Sequence, residues 1–242
     1  MTTDFQALFR EIFTKNGLEC FCDAKTVSTF EQFTDLLQEE NAHTNLTAIR
    51  DVSGIISKHY ADCLLAASLF PQNATVLDLG CGGGFPTIPL AIARPDLQIT
   101  AIDSTAKKIR FVEKAADVLS LSNVKPLCSR AEDPSLKPLR ETFDVVTSRA
   151  MARMNVLCEL CLPYVKIGGF LLAMKASKAE EETTEALNCI KTLGGGEPEL
   201  FHCGLAHLDE VVDPRCLIKI EKKAAHPKGY PRAYAQIAKK PL

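Results

Sequence analysis

Apolar positions recur along this chain at two different periods, and the change from one to the other divides it. Up to residue 70 the period is helical. Phe5, Leu8, Phe9, Ile12 and Phe13 fall at i, i+3, i+4, i+7 and i+8, one apolar stripe with Gly17 as its stop signal. A second run carries Val27, Phe30, Phe33, Leu36 and Leu37 and is expected to end at the polar stretch EENAHTN. A third helix is expected within VSGIISKHYADCLLAASLF, closing before Pro71. Such stripes need a surface to bury against.

From Ala74 the pattern shortens. ATVLDL, LQITAID, NVKPLCS, FDVVTSR and GGFLLAMKA read as strands, a late strand fits RCLIKIEK, and segments of helical character separate most of them. AKKIRFVEKAADVLSL has the spacing of an amphipathic crossover helix, and a further helix fits 178–193 before the glycines at 194–196. The alternation predicts an α/β fold with a doubly wound, mostly parallel sheet. The expected division is a helical N-terminal cap, 1–70, packed on a Rossmann-like domain, 71–242, that ends in a basic tail.

The stretch VLDLGCGGGFP, residues 76–86, places a glycine-rich turn between the first strand and a helix. Open α/β sheets bind ligands at that end of the strand. Glycines at 80 and 82 permit positive φ and leave no Cβ in a ligand's way. Asp103 ends the second strand, where an acid accepts hydrogen bonds from ribose hydroxyls. Asp78 stands two residues before the first glycine, where a carboxylate repels a diphosphate and favours a ligand with cationic centres. S-adenosylmethionine, with its sulfonium and ammonium, suits this loop better than a nicotinamide dinucleotide. The dinucleotide fingerprint G-x-G-x-x-G also fails at Phe85. An NAD-dependent oxidoreductase and a noncatalytic RNA-binding module with a vestigial cofactor fold remain the alternatives.

Composition adds limits. Of 242 residues, 46% are hydrophobic and 24% charged, as in globular domains, and no apolar run is long enough for a bilayer span. MTTDFQALFREIF lacks signal-peptide architecture, so a cytoplasmic protein without membrane contact is expected. Ten cysteines lack metal-ribbon spacing; reduced, inert thiols are expected, Cys81 among them, and no metal site. Net charge is −2, yet from Arg215 onward eight Lys/Arg face one acid, Glu221. A basic tail on an acidic body can meet an RNA backbone or simply be solvated.

LDLGCGGGFPTIPLAIARPD, AIDSTAKKIRFVEKAADVLSLSNV, SRAED and FDVVTSRAM, with NLTAI, KHYADCLL, LLAMKA and the YPR…KKPL ending, resemble the RsmG (GidB) family of bacterial 16S ribosomal RNA guanine-N7 methyltransferases over nearly the whole chain. The resemblance implies a class I S-adenosylmethionine-dependent methyltransferase fold with a helical N-terminal extension. Its partner would be 16S rRNA or the small ribosomal subunit, and the protein is expected to be a monomer. Cofactor contacts carry over onto Gly80, Phe85, Ala131, Glu132 and Arg149, while Asp78, Gly82 and Asp103 add the general class I pattern. The chain departs from the family at Thr87, where Gly usually follows Phe-Pro, and in the tail, usually richer in Arg and Gly.

The residues after the fourth strand, TSRAM, contain no N/D-P-P-Y-like motif for amine methylation, and no Pro-Cys dipeptide supplies a nucleophile for pyrimidine C5. Guanine N7 needs neither, because its lone pair bears no proton. No catalytic base is therefore expected. Arg149 is read as a positioning residue toward cofactor, guanine O6 or phosphate, since its guanidinium stays protonated. Ala131 and Glu132 suit the adenine edge. Lys58, His59, Lys175, Lys228 and Arg232 are the candidates for RNA contact, with Lys239 and Lys240 beside them. On the residues alone, Lys58 and His59 read as a solvated lysine and a packed histidine.

Overall fold

The structure is a computed structural model that describes residues 4–242; the first three residues of the expected cap lie outside them. Helix α1 (Phe5–Lys15) starts on Asp4, whose side chain accepts the Gln6 N–H at 3.0 Å. It stops where Gly17 takes φ +68° and Leu18 N–H returns to the Phe13 carbonyl. Its stripe is buried as the spacing predicts. Helix α2 (Ala24–Thr44) is capped by Asp23 and runs straight through EENAHT, ending only at Asn45 in the left-handed region. The expected break fails because Glu, Ala and His are tolerable helix formers and because Asn41 is buried. Asn41 donates to the Thr47 carbonyl and accepts the Thr47 N–H, both at 2.9 Å, so the polar stretch has a structural partner.

The third helical region is composite. Helix α3 (Val52–Ile55) passes into a π-helical stretch (Ile56–Ala61) and then α4 (Asp62–Leu64). Wider π turns re-aim side chains and recur at functional sites; here the wider turn carries Lys58 and His59.

Strands β1 (Thr75–Leu79), β2 (Gln98–Asp103), β3 (Val124–Cys128), β4 (Phe143–Arg149) and β5 (Val165–Lys175) lie parallel. Strands β6 (Glu199–Ala206) and β7 (Val212–Glu221) complete a seven-stranded sheet of order β3-β2-β1-β4-β5-β7-β6, with β7 antiparallel to both neighbours. Strand β6 escaped the sequence reading: it is an edge strand, mostly exposed, with Gly204 and His202 interrupting its apolar alternation. Helices α5 (Thr87–Ala93), α6 (Ala106–Val118), α7 (Met154–Cys161), α8 (Ala179–Thr192) and α9 (Tyr234–Lys239) complete the chain. A 3₁₀ turn (Pro134–Leu139) replaces a helix between β3 and β4.

Side-chain alternation along β1 feeds two cores. Val76 points, with Ile99 and Val145, toward α1, α2, α5 and α6; Leu77 and Leu79 point, with Val146 and Leu171, toward α7 and α8. In the first core the rings of the cap form a chain. Phe9 contacts Phe30 at 5.2 Å, Phe30 contacts Tyr60 at 4.8 Å, and Phe33 reaches Tyr60, Phe85 and Phe111 at 5.6, 5.9 and 6.3 Å. Tyr60 donates its hydroxyl to Thr34 Oγ1 (2.9 Å), because that oxygen has already given its own proton to the Phe30 carbonyl. Among the described residues no helix is long and apolar enough to cross a membrane.

Phe33 is fully buried and joins α2 to the glycine-rich loop. Phe33→Ala should therefore cost about 3–5 kcal/mol, read from urea unfolding; a change below about 1 kcal/mol would show that the ring chain does not bind the cap to the sheet.

Candidate functional site

The sheet order reverses between β1 and β4, so the crevice beyond their carboxyl ends is where a ligand has room. The glycine-rich loop crosses this crevice. Gly80 N–H and Cys81 N–H both donate to the Ile102 carbonyl at the end of β2, at 2.7 and 3.0 Å. Gly82 N–H donates to Asp103 Oδ2 at 3.0 Å, and Thr105 N–H donates to Asp103 Oδ1 at 2.8 Å. Each Asp103 oxygen thus keeps lone-pair capacity for a further donor, and the residue faces a groove. Gly80 has φ +80°, and a Cβ there would stand 2.8 Å from Met151 Sδ. Its freedom is required by backbone and by Met151, not by ligand space alone.

A groove of about 270 Å³ brings together Gly80, Asp103, Ala131 and Glu132. Met151, Leu160 and Tyr234 also line it, none of them foreseen from the sequence. Ala131 is fixed because its carbonyl accepts the Tyr164 hydroxyl at 2.5 Å. Asp78, Gly82, Phe85 and Arg149 are absent from this lining, although Gly82 adjoins it through its bond to Asp103.

Asp78 departs furthest from the expectation. Its carboxylate is fully buried on the α5 face of the sheet, not in the groove. Oδ2 accepts the Thr87 N–H at 3.2 Å and the Thr87 hydroxyl at 2.5 Å, while Oδ1 is buried without a partner. Burial, only partly offset by the Thr87 bonds, pushes its pKa up to about 7. The residue that breaks the family pattern at 87 therefore has a defined structural role, since its hydroxyl ties the loop's exit to the strand. Cys81 is also buried, and burial pushes its thiol up, away from reactivity.

Phe85, Arg149 and His59 form a second cluster with residues of the cap. The His59 ring stacks on Phe85 at 4.3 Å, and the Arg149 guanidinium lies 5.5 Å from the same ring. Arg149 donates to Asp62 Oδ2 (2.8 Å), to the Lys58 carbonyl (3.0 Å) and to His59 Nδ1 (3.0 Å). Because arginine only donates, Nδ1 must be the acceptor, and His59 Nε2–H is left to donate to Thr47 Oγ1 at 2.7 Å. Burial, reinforced by the Arg149 charge, pushes His59 down to about 4, so the ring is neutral at neutral pH. Arg215 of β7 donates to Asp62 Oδ1 at 2.6 Å. One carboxylate thus bridges two arginines.

Arg149, Asp62 and Arg215, with Lys175 and Ala150, line a neighbouring pocket of about 280 Å³. Ala150, at φ +54°, lines this pocket, and the next two residues, Met151 and Ala152, line the first groove. A non-glycine residue held in the left-handed region stores strain of the kind found at sites. Lys175 is held by Glu182 (2.8 Å) and by the Ala152 carbonyl (2.5 Å).

The remaining RNA candidates are dispersed. Lys58 is exposed on the rim of a third groove, and Lys228 is exposed in the tail. Arg232 is not available as expected: Nε and Nη2 grip the fully buried Glu159, each at 2.6 Å. Much of the tail's positive charge is spoken for. Arg215 pairs with Asp62, Lys219 with Glu199 and Lys223 with Glu221. Lys222 is buried, its Nζ donating to the Leu162 and Leu193 carbonyls. Among the described residues no group of three or more metal-type side chains converges, and all ten cysteines are free.

Residues 26–207 match the GidB family model, described as rRNA small subunit methyltransferase G. The chain is similar to the ribosomal RNA small subunit methyltransferase G of Clostridium perfringens, 42% identical over 88% of this chain and 89% of that one. The protein of the same name from Lactobacillus johnsonii is 40% identical over 97% of this chain and 98% of that one. In fold it is similar to the crystal structure of M. jannaschii TYW2 in complex with AdoMet, with TM-score 0.51 and 20% identity over 64% of this chain and 72% of that one.

Two measurements separate the structural charges from the rest. Arg232→Ala should cost about 3–5 kcal/mol of unfolding free energy, because it leaves Glu159 buried and unpaired; an unchanged Tm would return Arg232 to the RNA candidates. For Asp78 the folded pKa is raised, so its favourable contribution is complete below pH 4 and is lost as pH rises through about 7. Unfolding free energies of the wild type relative to Asp78→Asn should fall by roughly 2–4 kcal/mol between pH 4 and 8, and a flat difference would refute the raised pKa.

Proposed function

The chain belongs to the GidB family of rRNA small subunit methyltransferase G proteins, and from that membership we propose that it methylates N7 of a guanosine in small-subunit rRNA. The methyl donor is S-adenosylmethionine, and the setting is the cytoplasm. Residues 1–70 serve as a cap on the methyltransferase domain, 71–242, in a monomer that uses no metal.

The groove residues fit that donor. Asp103 has acceptor capacity for a ribose diol, and the apolar walls Leu79, Ile102 and Leu160 suit an adenine ring. Ala131 and Glu132 meet the adenine edge, and Gly80 lets the loop pass closely. Acidic Asp103 and Glu132 in the lining favour a cationic ligand over a diphosphate. When bound, S-adenosylmethionine supplies an electrophilic sulfonium methyl, whose bond to sulfur breaks as its bond to N7 forms.

One observation carries the choice of acceptor: every titratable side chain lining the pocket beside the groove is already engaged. Asp62 is shared by Arg149 and Arg215, and Lys175 is held by Glu182. His59, beneath Arg149, spends its lone pair on that guanidinium. These pairings leave no unpaired base in the pocket. Methylation of an exocyclic amine or a ring N–H releases a proton, whereas methylation of N7 releases none, so an acceptor without a proton suits this lining. Arg149 is fixed by three acceptors and lies over the Phe85 ring, so it acts by position, orienting the base for in-line transfer.

The test is methyl transfer from labelled S-adenosylmethionine to small subunits lacking the modification, followed by mass mapping of the base. The expected product is 7-methylguanosine; methylation at another atom, or binding of NAD without S-adenosylhomocysteine, overturns the reading. In the same assay Asp103→Ala should raise the Kd for S-adenosylhomocysteine by roughly 5- to 150-fold, the loss of a charged hydrogen bond.

A further inference from the structure

The C-terminal tail ends in a short helix that is firmly docked. Arg232 grips Glu159 of α7 through two side-chain bonds, and its own N–H donates to the same carboxylate at 3.2 Å. Arg232 also donates to the Lys240 carbonyl at 3.1 Å, closing the helix back on its entry. Arg140 donates to the Tyr230 carbonyl at 2.9 Å, and Ile237 is fully buried in the α7–α8 core. Between these anchors, at 232 and 237, stands Tyr234, 45% exposed and lining the same groove as Asp103, Ala131 and Glu132. What sets this exposed ring apart is that a fixed segment holds it in the groove lining.

The geometry points to the partner's chemistry. The last turn of α7 and the residues following it tie three parts of the groove lining together. Tyr164 fixes Ala131 through its hydroxyl, Leu160 adds apolar lining, and Glu159 anchors the tail that carries Tyr234. We propose that Tyr234 is a cofactor-binding residue whose ring packs on the adenine held at Ala131 and Glu132, so that the tail forms one wall of the cofactor site. This rests on the assignment of the groove to S-adenosylmethionine. Ring-on-ring contact of this kind contributes through area and quadrupole and needs no hydrogen bond from the phenol. The role therefore belongs to the ring, not to the hydroxyl.

The chain contains no tryptophan, which makes the test direct. In full-length Tyr234→Trp the single indole should report S-adenosylhomocysteine as a saturable change in emission, with the same midpoint as calorimetry. Tyr234→Ala should bind that ligand roughly 2- to 10-fold more weakly, and Tyr234→Phe should match the wild type. A purely structural role for the tail would lower the Tm of Tyr234→Ala without moving the indole signal. An unresponsive indole beside normal calorimetric binding overturns the proposal and leaves the cofactor assignment standing. If the wild type binds no S-adenosylhomocysteine at all, both fall together.

Discussion

The rest of the site depends on the contact of Phe33 with Phe85. A glycine-rich loop has by itself many accessible conformations, and a binding loop must hold one of them. Here the loop's Phe85 is held by three rings of the cap: Phe33, Tyr60 and the stacked His59. The cap is thus not an appendage to the sheet. Its aromatic chain runs from Phe9 through Phe30 to Tyr60 and restrains the loop that crosses the carboxyl ends of β1 and β2. The cap also holds Arg149, whose guanidinium lies over the Phe85 ring and bonds Asp62, the Lys58 carbonyl and His59.

Thr87 illustrates how one substitution is absorbed by such a loop. A glycine there would leave Asp78 with a single N–H donor inside the core; the threonine adds a hydroxyl to the same oxygen. One carboxylate oxygen remains unsatisfied, and burial raises the residue's pKa accordingly. The carboxylate that the sequence places at a ligand's door is instead a strut beneath the threshold. It is local, costly and close to the loop, features that make it visible in a sequence, while its direction across the sheet is not.

Direction is the general limit on what could be read. Period and punctuation locate β1 through β4 to within a residue and β5 and α6 to within three; β1, β2 and β4 are largely buried and α6 carries an apolar stripe, while β3 is only partly covered. Strand β6 was missed because Gly204 and His202 interrupt its apolar alternation. Gly80, Asp103, Ala131 and Glu132 share one groove, as their positions after strand ends suggest. Leu160 and Tyr234 join them only through tertiary packing of α7 and the tail, for which no local signal exists. The composite helix over 52–64 was legible as a helix, but its π turn, which carries Lys58 and His59, was not.

Counting charges misled in an instructive way. A tail with eight basic residues looks like an electrostatic handle, yet five of them are already partnered: Arg215 and Arg232 by acids on distant helices, Lys219 and Lys223 by surface acids on the same hairpin, Lys222 by buried carbonyls. Among the described residues Lys228, Lys239 and Lys240 are exposed and without an ion pair, as is Lys58 on the cap. Each free cation adds one phosphate contact and one increment of salt dependence. A handful of such contacts positions an RNA loosely and reads no sequence. The pocket of Arg149, Lys175 and Arg215 differs from these free cations: Asp62 and Glu182 already hold its charges in place, so a ligand entering it meets little reorganisation cost.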